Sequence, residues 1–383
     1  MGLLATNKAD FIQSFLELEP AELKDKRQDS KLLYPLNEIV LLLISGVMAG
    51  AESWRQIVEY GKLKLDFLRQ YLPYKHGIPC KSTLCEIMGM IEHKKFELWL
   101  YRWTSKFFKS FAGEVISIDG KSIKGSKTKE AKATHVLNVF ASAQKIILAQ
   151  KTIDTKTNEI PEIPKLIDDL NIEGATITID AIGCQTAITS KIIEKKANYF
   201  IGLKENQPNL YDASRYLFVE KDSCKTDFEF YAASNRAHGR FEVRRCWVTT
   251  IPAWFKESYN TWRGLQSICL IESERHLSNG KRSIEQRFYI SSEVLSAKQG
   301  FDYARSHWLI ENQVHHVLDV TFREDACRVH DAAQNMSVIR KVVLNLINRY
   351  KIHTKSKCST PSIRKQTGWS TKVAGNLLEL LIS

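Results

Sequence analysis

The sequence has no CxxC pair and no Cys/His spacing of the structural-zinc kind, although eight cysteines (Cys80, Cys85, Cys184, Cys224, Cys246, Cys269, Cys327, Cys358) are scattered along it. They read as reduced packing residues rather than a metal or disulfide framework. It also has no long apolar run. The longest, Ile39 to Ile44 and on through Val47 and Met48, falls far short of the roughly 20 residues a membrane helix needs. The start of the chain lacks the charged, apolar and small-residue order of a signal peptide, so a cytosolic protein is expected. A nucleotide-binding loop is missing as well: Gly120-Lys121-Ser122 looks like the end of one, but Val115 stands where its first glycine belongs. No HExxH zinc motif, no internal repeat and no convincing Ser, Tyr or Cys nucleophile setting is present, which argues against covalent catalysis.

What the chain does have is length, apolar content and positive charge. Its 383 residues, 44% apolar, suffice for two or three folding units. Lys and Arg outnumber Asp and Glu by 55 to 43, a formal charge of +12, with an isoelectric point near 9.2. Polyanions are therefore the first partner class to consider.

The periodicity changes along the chain. Residues 1 to about 110 read as helices, with apolar positions recurring at Phe11, Phe15 and Leu18, from Leu36 to Met48, and at Trp54, Ile57, Val58, Leu63, Leu65 and Leu68. This part is expected to be an all-helical N-terminal domain. From Glu114 the period becomes that of strands: Val115 to Asp119, His135 to Ala143 and Ile146 to Ile153, the last two joined by a turn at Ala143-Gln144-Lys145. A helix over Pro161 to Leu170, a strand over Thr176 to Asp180, a helix over Gln185 to Ala197 and a strand over Tyr199 to Leu203 complete a mixed α/β sheet. Between Asn206 and Gly300 only strand-like pieces stand out, at Phe241 to Thr250, Leu265 to Glu272 and Arg287 to Ser292, with a turn at Ser278-Asn279-Gly280. Helices return from Tyr303 to about Asp319 and from Asp331 to Tyr350, and residues 351–383 read as a basic C-terminal tail ending in a short helix.

Two apolar strands, VISID and TITID, end in carboxylates, Asp119 and Asp180, each expected to lead into a glycine-containing turn. If these strands are sheet neighbours about 4.8 Å apart, both carboxylates face one small volume. Such a pair repels itself at neutral pH unless it is protonated or bridged by a cation, and a hard ion such as Mg²⁺ or Mn²⁺ is the natural bridge. On the later helix HWLIENQVHHVLDV, His307, Glu311 and His315 fall on one face beside Trp308. Glu311 is a candidate third ligand; a satisfied polar cluster between helices is the plainer alternative, and a zinc site is weaker than both.

The residues from Ser117 to Ser126 (SIDGKSIKGS) resemble the first-aspartate motif of H-repeat-associated DDE transposases. Similar correspondences follow in order: Lys156 to Ile160 (KTNEI), Thr178 to Gln185 (TIDAIGCQ), Asn198 to Gln207 (NYFIGLKENQ), His238 to Glu242 (HGRFE), His307 to Asn312 (HWLIEN), then Leu318-Asp319-Val320 and Phe322, Glu324 and Asp325. The likeness spans about Asp29 to Tyr350. Departures exist: where related families carry Tyr, Arg and Lys around the helix glutamate, this chain has Ala304 (with Tyr303 adjacent), His307 and Leu318, and Glu205 replaces a usual glycine.

The resemblance implies an RNase H-like catalytic core over 111–205 and 301–350, flanked by helices, interrupted by a β-rich insertion over 206–300, and preceded by a helical domain over 1–110 for DNA-end binding or assembly. It implies Asp119, Asp180 and Glu311 as catalytic, metal-binding residues holding two Mg²⁺ or Mn²⁺ ions for cleavage and strand transfer at insertion-sequence ends. Double-stranded DNA, both terminal inverted repeats and target, is the implied partner, with a homodimer in the synaptic complex, no membrane, and a bacterial, nucleoid-associated cytoplasmic setting. Lys121, Lys124, Lys204, Arg240, Arg244, Arg305 and His307 are candidates for holding DNA, and Trp247, Trp254 or Trp262 for stacking on an unpaired base. Two alternatives keep the same fold: an inactive, mobile-element-derived DNA-binding protein, and an RNase H-like nuclease that never joins strands.

Overall fold

The computed structural model describes residues 33–382 apart from 155, 220–226, 238–239, 278–280 and 328–331. The helix expected through Phe11, Phe15 and Leu18, the Ser278-Asn279-Gly280 turn and the pair His238-Gly239 lie outside the described residues. Among the described residues five helices come first: α1 (Leu36–Met48), α2 (Trp54–Leu63), α3 (Leu65–Leu68), α4 (Lys81–Met90) and α5 (His93–Ser105). α1 is buried on nearly every side, which its almost uninterrupted apolar sequence requires. α2 begins at Ser53, whose side chain accepts a hydrogen bond from the Gln56 amide and satisfies one of the helix's free donors.

Strands β1 (Val115–Ile123), β2 (Thr134–Ala141) and β3 (Ile146–Ile153) form an antiparallel meander, Lys145 taking a positive φ in the turn between the last two. After α6 (Glu159–Asp169), strand β4 (Thr176–Ile179) pairs in parallel with β1; after α7 (Thr186–Glu194), strand β5 (Asn198–Leu203) pairs in parallel with β4. β1 does not stop at Asp119: it runs on through Gly120 to Ile123, paired with β2 over the whole stretch, so Asp119 is a mid-strand residue. Apolar alternation fades after Ile118, but the edge register with β2 carries the backbone onward.

The region 206–300 departs further from expectation. It opens with a helix, α8 (Pro208–Val219), with Pro208 in its first turn and Leu210, Ser214 and Leu217 on its buried face. Strands β6 (Glu229–Ala237), β7 (Arg240–Thr250), β8 (Ser267–Leu277) and β9 (Arg282–Ser291) follow, with the short α9 (Ala253–Ser258) between β7 and β8. These strands are no separate sheet. β9 pairs with β5, Ile201 opposite Ile290, so a single nine-stranded sheet runs in the order β3-β2-β1-β4-β5-β9-β8-β7-β6.

Helix α10 (Ala297–Leu309) starts at a capping box between Ser296 and Gln299. It passes into a π-helical stretch, Ile310–His315, and then α11 (His316–Val320). The chain closes with α12 (Ala333–Thr354), α13 (Thr360–Trp369) and α14 (Thr371–Glu379). The stretch read as a basic tail is thus largely helical, with Ile363, Ala374, Leu377, Leu378 and Leu381 buried.

Three apolar clusters hold the layers together. One face of the sheet is covered by α6 to α9. The other carries α12, against which α1 to α5 and α13 to α14 pack as one continuous core that also takes Ile310, Val314 and Leu318. The N-terminal helices are therefore not a module with a core of their own. A third cluster seats α10 on β7 to β9 through Phe301, Cys246, Val248 and Tyr289. Polar joints cross these layers where burial leaves no water: the Glu97 carboxylate of α5 accepts from Gln150 Nε2 and the Thr152 amide of β3, both at 3.0 Å. Among the described residues no helix is long and apolar enough to cross a membrane.

Candidate active site

The parallel register of β1 and β4 sets Ile118 opposite Ile179, so the next residues, Asp119 and Asp180, emerge side by side. Asp180 caps the 3₁₀ turn Ala181–Gly183: its Oδ1 accepts from the Ile182 amide at 3.1 Å. Burial pushes its carboxyl up from the ordinary range, countered by that amide. Asp119 is more enclosed. Burial first, then the charge of and hydrogen bond with Glu311 and the charge of Asp180, push it up to about 8, so it sits as an acid unless a cation compensates.

Glu311 reaches the same point from the π-helical stretch. An α-helix that widens by one residue per turn is a recurrent feature of functional sites, because it redirects side chains without ending the helix. Its carboxylate lies 3.5 Å from His315 Nδ1, and Asp119 Oδ2 lies 3.6 Å from the same nitrogen. Oxygen and nitrogen atoms of Asp119, Glu311 and His315 all fall within 4.8 Å of one another. Asp180 is not in that tight set, although it lines the same cleft of about 230 Å³ with Asp119, His307 and Glu311. The donor chemistry, hard carboxylate oxygens with one imidazole around a carboxyl that burial makes costly to ionise, suits a divalent ion.

His315 lies on the same helix face as Glu311 in the sequence, yet its bridging position between two carboxylates was not anticipated. Its Nε2 lies 3.0 Å from Asn138 Nδ2 in β2, and that contact orients the ring. The only prior signal was the four-residue spacing from Glu311. Glu159, part of the KTNEI stretch, carries no sequence signal for a place beside the site. Its carboxylate receives His135 Nε2 at 2.7 Å, and His135 Nδ1 meets Ser122 Oγ at 2.9 Å. A Cβ on Gly120 would come within 2.0 Å of Glu159 Oε1, so glycine is what lets this chain of contacts press against the backbone next to Asp119.

The candidate DNA-holding residues divide. Lys204 lines the cleft and its charge acts on Asp180. His307 lies beside it, Nδ1 at 3.2 Å from Thr178 Oγ1, and burial lowers its pKa to about 4, so the ring is neutral at physiological pH. Lys124 is exposed and meets Asp325 at 3.3 Å. Arg244 and Arg305 line a second cavity of about 250 Å³ that shares Arg287, Tyr289 and Trp308 with the first. Arg240 opens β7, and its side chain lies outside the described residues. Lys121 must be removed from the set: it is buried, and its ammonium faces Asp319, Glu324 and Asp325 instead of the cleft. The tryptophans also shift. Trp262 is core and Trp247 packs on Phe230, whereas Trp308, half exposed, stands at the cleft with the Arg287 guanidinium 4.4 Å from its ring centroid.

Antiparallel β3-β2-β1 followed by parallel β4 and β5, with carboxylates delivered by β1, by the end of β4 and by a helix packed across them, defines a ribonuclease H-like protein with a β-rich insertion. Within that class the chain belongs to the DDE transposases: residues 110–346 match the family described as "Transposase DDE domain", and residues 21–104 match "DDE_Tnp_1-associated". "Putative transposase YncI" of Escherichia coli O157:H7 is 35% identical over 346 residues, covering 89% of this chain and 88% of that protein. "H repeat-associated putative transposase YhhI" of Escherichia coli K12 is 35% identical over 335 residues, covering 86% and 89%. The family resemblance read from the motifs therefore holds.

Proposed function

We propose that this protein cleaves and joins DNA at the ends of an insertion element, with Asp119, Asp180 and Glu311 as its catalytic carboxylates. The observation that carries the reading is the convergence of three acids, from β1, β4 and the π-helical stretch, on one cleft of a DDE transposase core. Two Mg²⁺ or Mn²⁺ ions held by these residues would neutralise the phosphodiester and acidify an attacking water or 3′-hydroxyl.

The protein's own groups do the rest. His315 stands between Asp119 and Glu311, its Nδ1 3.6 and 3.5 Å from their carboxylate oxygens. Neutral His307, anchored on Thr178, fills the wall of the cleft without adding charge. Lys204 and Arg287 at the cleft and Arg305 in the adjoining cavity are the cations proposed to meet the phosphates on either side of the scissile bond, although Arg287 and Arg244 are ion-paired to Glu285 and Glu242, both at 2.6 Å. Trp308 offers a ring face at the junction of the two cavities for an unstacked base. A homodimer that pairs two element ends is the proposed working form.

Purified protein, its element-end DNA and Mg²⁺ or Mn²⁺ are combined, and nicking and strand joining are scored for the parent and Asp119→Asn. The parent is expected to do both, and Asp119→Asn to lose about 10³-fold, the several kcal/mol that metal charge stabilisation supplies. Cleavage without joining would support the nuclease alternative, and binding without cleavage the inactive DNA-binding alternative. Equal cleavage by Asp119→Asn would overturn the catalytic assignment.

A further inference from the structure

Lys121 follows Asp119 by two residues on the same strand, so its side chain lies on the same face of the sheet but further along the strand, outside the residues that line the cleft. Its Nζ lies 2.7 Å from Asp319 Oδ1, 3.2 Å from Glu324 Oε2 and 3.3 Å from Asp325 Oδ1. Asp319 sits on α11, the continuation of the helix that carries Glu311; Glu324 and Asp325 form the 3₁₀ turn that follows it. Three carboxylates from one segment thus close on one ammonium from another. Glu324 is fully enclosed and also faces Arg340 of α12 at 3.6 Å.

The backbone makes the same junction independently. Asp325 Oδ1 accepts from the Lys124 amide at 3.0 Å, just beyond the end of β1. Gly125 lies in a 3₁₀ turn, Lys124–Ser126, that follows β1, and a Cβ on it would lie 2.3 Å from the carbonyl oxygen of Cys327, so this turn and the one at Glu324–Ala326 touch where only glycine fits. The segment after Asp119 and the segment after Glu311 are therefore fastened together, by charge at Lys121 and by close backbone contact at Gly125.

We propose that Lys121 is a positioning residue: its buried ammonium locks β1 to the helix end and so fixes the separation of Asp119 and Glu311. This rests on the reading of those two acids as metal ligands. A pairing of two far-apart segments at the foot of the site sets how far apart the two acids stand at its mouth, much as outer-shell partners orient ligands elsewhere. It also explains why a lysine in a basic, glycine-bearing stretch is not spent on DNA.

The test uses the full chain and Mn²⁺ alone, titrated by calorimetry into the parent, Lys121→Met, Asp319→Asn and Asp119→Asn. Asp319 is partly exposed, so Asp319→Asn keeps a fold where Lys121→Met fails to give one. Both clamp variants are expected to bind Mn²⁺ about 10-fold more weakly. Their metal-free binding to element-end DNA should keep the parent's dependence on salt, because a phosphate-contacting lysine would take roughly one unit off that slope when removed. Mn²⁺ affinity within twofold of the parent in the folded variants overturns the proposal, as does a slope lowered by one in Lys121→Met. Asp119→Asn separates the two failures: undiminished Mn²⁺ binding there would sink the metal-site reading, while diminished binding there with parental binding in the clamp variants would sink only the clamp.

Discussion

At the scale of single residues the chain separates charges that work at the cleft from charges that hold the fold. Glu324 belongs to the second kind. Burial opposes its ionisation, yet the positive charges of Lys341, Arg340 and Lys121 together outweigh that cost and lower its pKa from 4.5 to about 2. A carboxylate depressed in this way stabilises the folded state fully above the unfolded value near 4.5, and the contribution is lost as pH falls through the folded value near 2. Glu324→Gln leaves three buried cations short of a partner and should cost about 3–5 kcal/mol at pH 7. Urea midpoints at pH 7, 4 and 2.5 should show the gap between parent and variant closing as acid is added; a gap that stays constant would contradict the linkage. Residue by residue, legibility followed local pattern. Asp119 and Asp180 announced themselves because each terminates an apolar run. Lys121 did not, because nothing near it in sequence reveals three carboxylates some 200 positions away. His315 was visible only as a helical neighbour of Glu311, and its link to Asn138 is a matter of tertiary packing.

Elements carry the next level of the design. α10 must deliver His307 and then pass into the π-helical stretch with Glu311 at the correct angle, and its start is fixed by Ser296, whose hydroxyl accepts from the Gln299 amide while the Gln299 side chain accepts from the Ser296 amide. Ser296→Ala removes half of that reciprocal pair and should lower stability by about 1 kcal/mol in chemical denaturation. Because the helix is also pinned by Phe301 and Ala304 against β7 to β9, cleavage activity should fall little. A large loss of activity at unchanged stability would mean that the cap itself tunes the site. Strands rich in β-branched, aromatic and apolar residues, such as β4 (TITI) and β5 (NYFIGL), are easy to read because both their faces are covered. β6 was missed: Glu229 to Ala237 lies at the sheet edge, mixes polar and small residues, and has a partner on one side only. α8 was missed because Pro208, Asp212 and Ser214 dilute its apolar stripe to a few positions. The π-helical widening has no sequence signature at all.

For the molecule as a whole, the first and last parts of the sequence make one core. α13 and α14 bury Ile363, Leu377, Leu378, Leu380 and Leu381 against α1, α5 and α12. Trp103 of α5 donates its indole hydrogen to the Leu381 carbonyl at 2.8 Å. Arg364 donates to the Val47 carbonyl at the end of α1 and to the Thr321 carbonyl beyond α11, tying the closing helices to the segment that bears Glu311. A basic stretch after a long helix invites the reading of a dispensable arm, since charge is local and the matching apolar groove lies more than 250 residues away. If it were an arm, a chain ending at Tyr350 would keep its fold and its cleavage activity. Fully burying a leucine or isoleucine stabilises by about 1.5–3 kcal/mol, so five such residues approach or exceed the roughly 5–15 kcal/mol by which whole domains are stable. The chain truncated after Tyr350 should therefore be recovered mainly as aggregate, and any soluble fraction should lack a cooperative thermal transition in circular dichroism. A soluble, cooperatively melting truncation would show that the helical layer closes without α13 and α14, and that these helices dock on a core already complete.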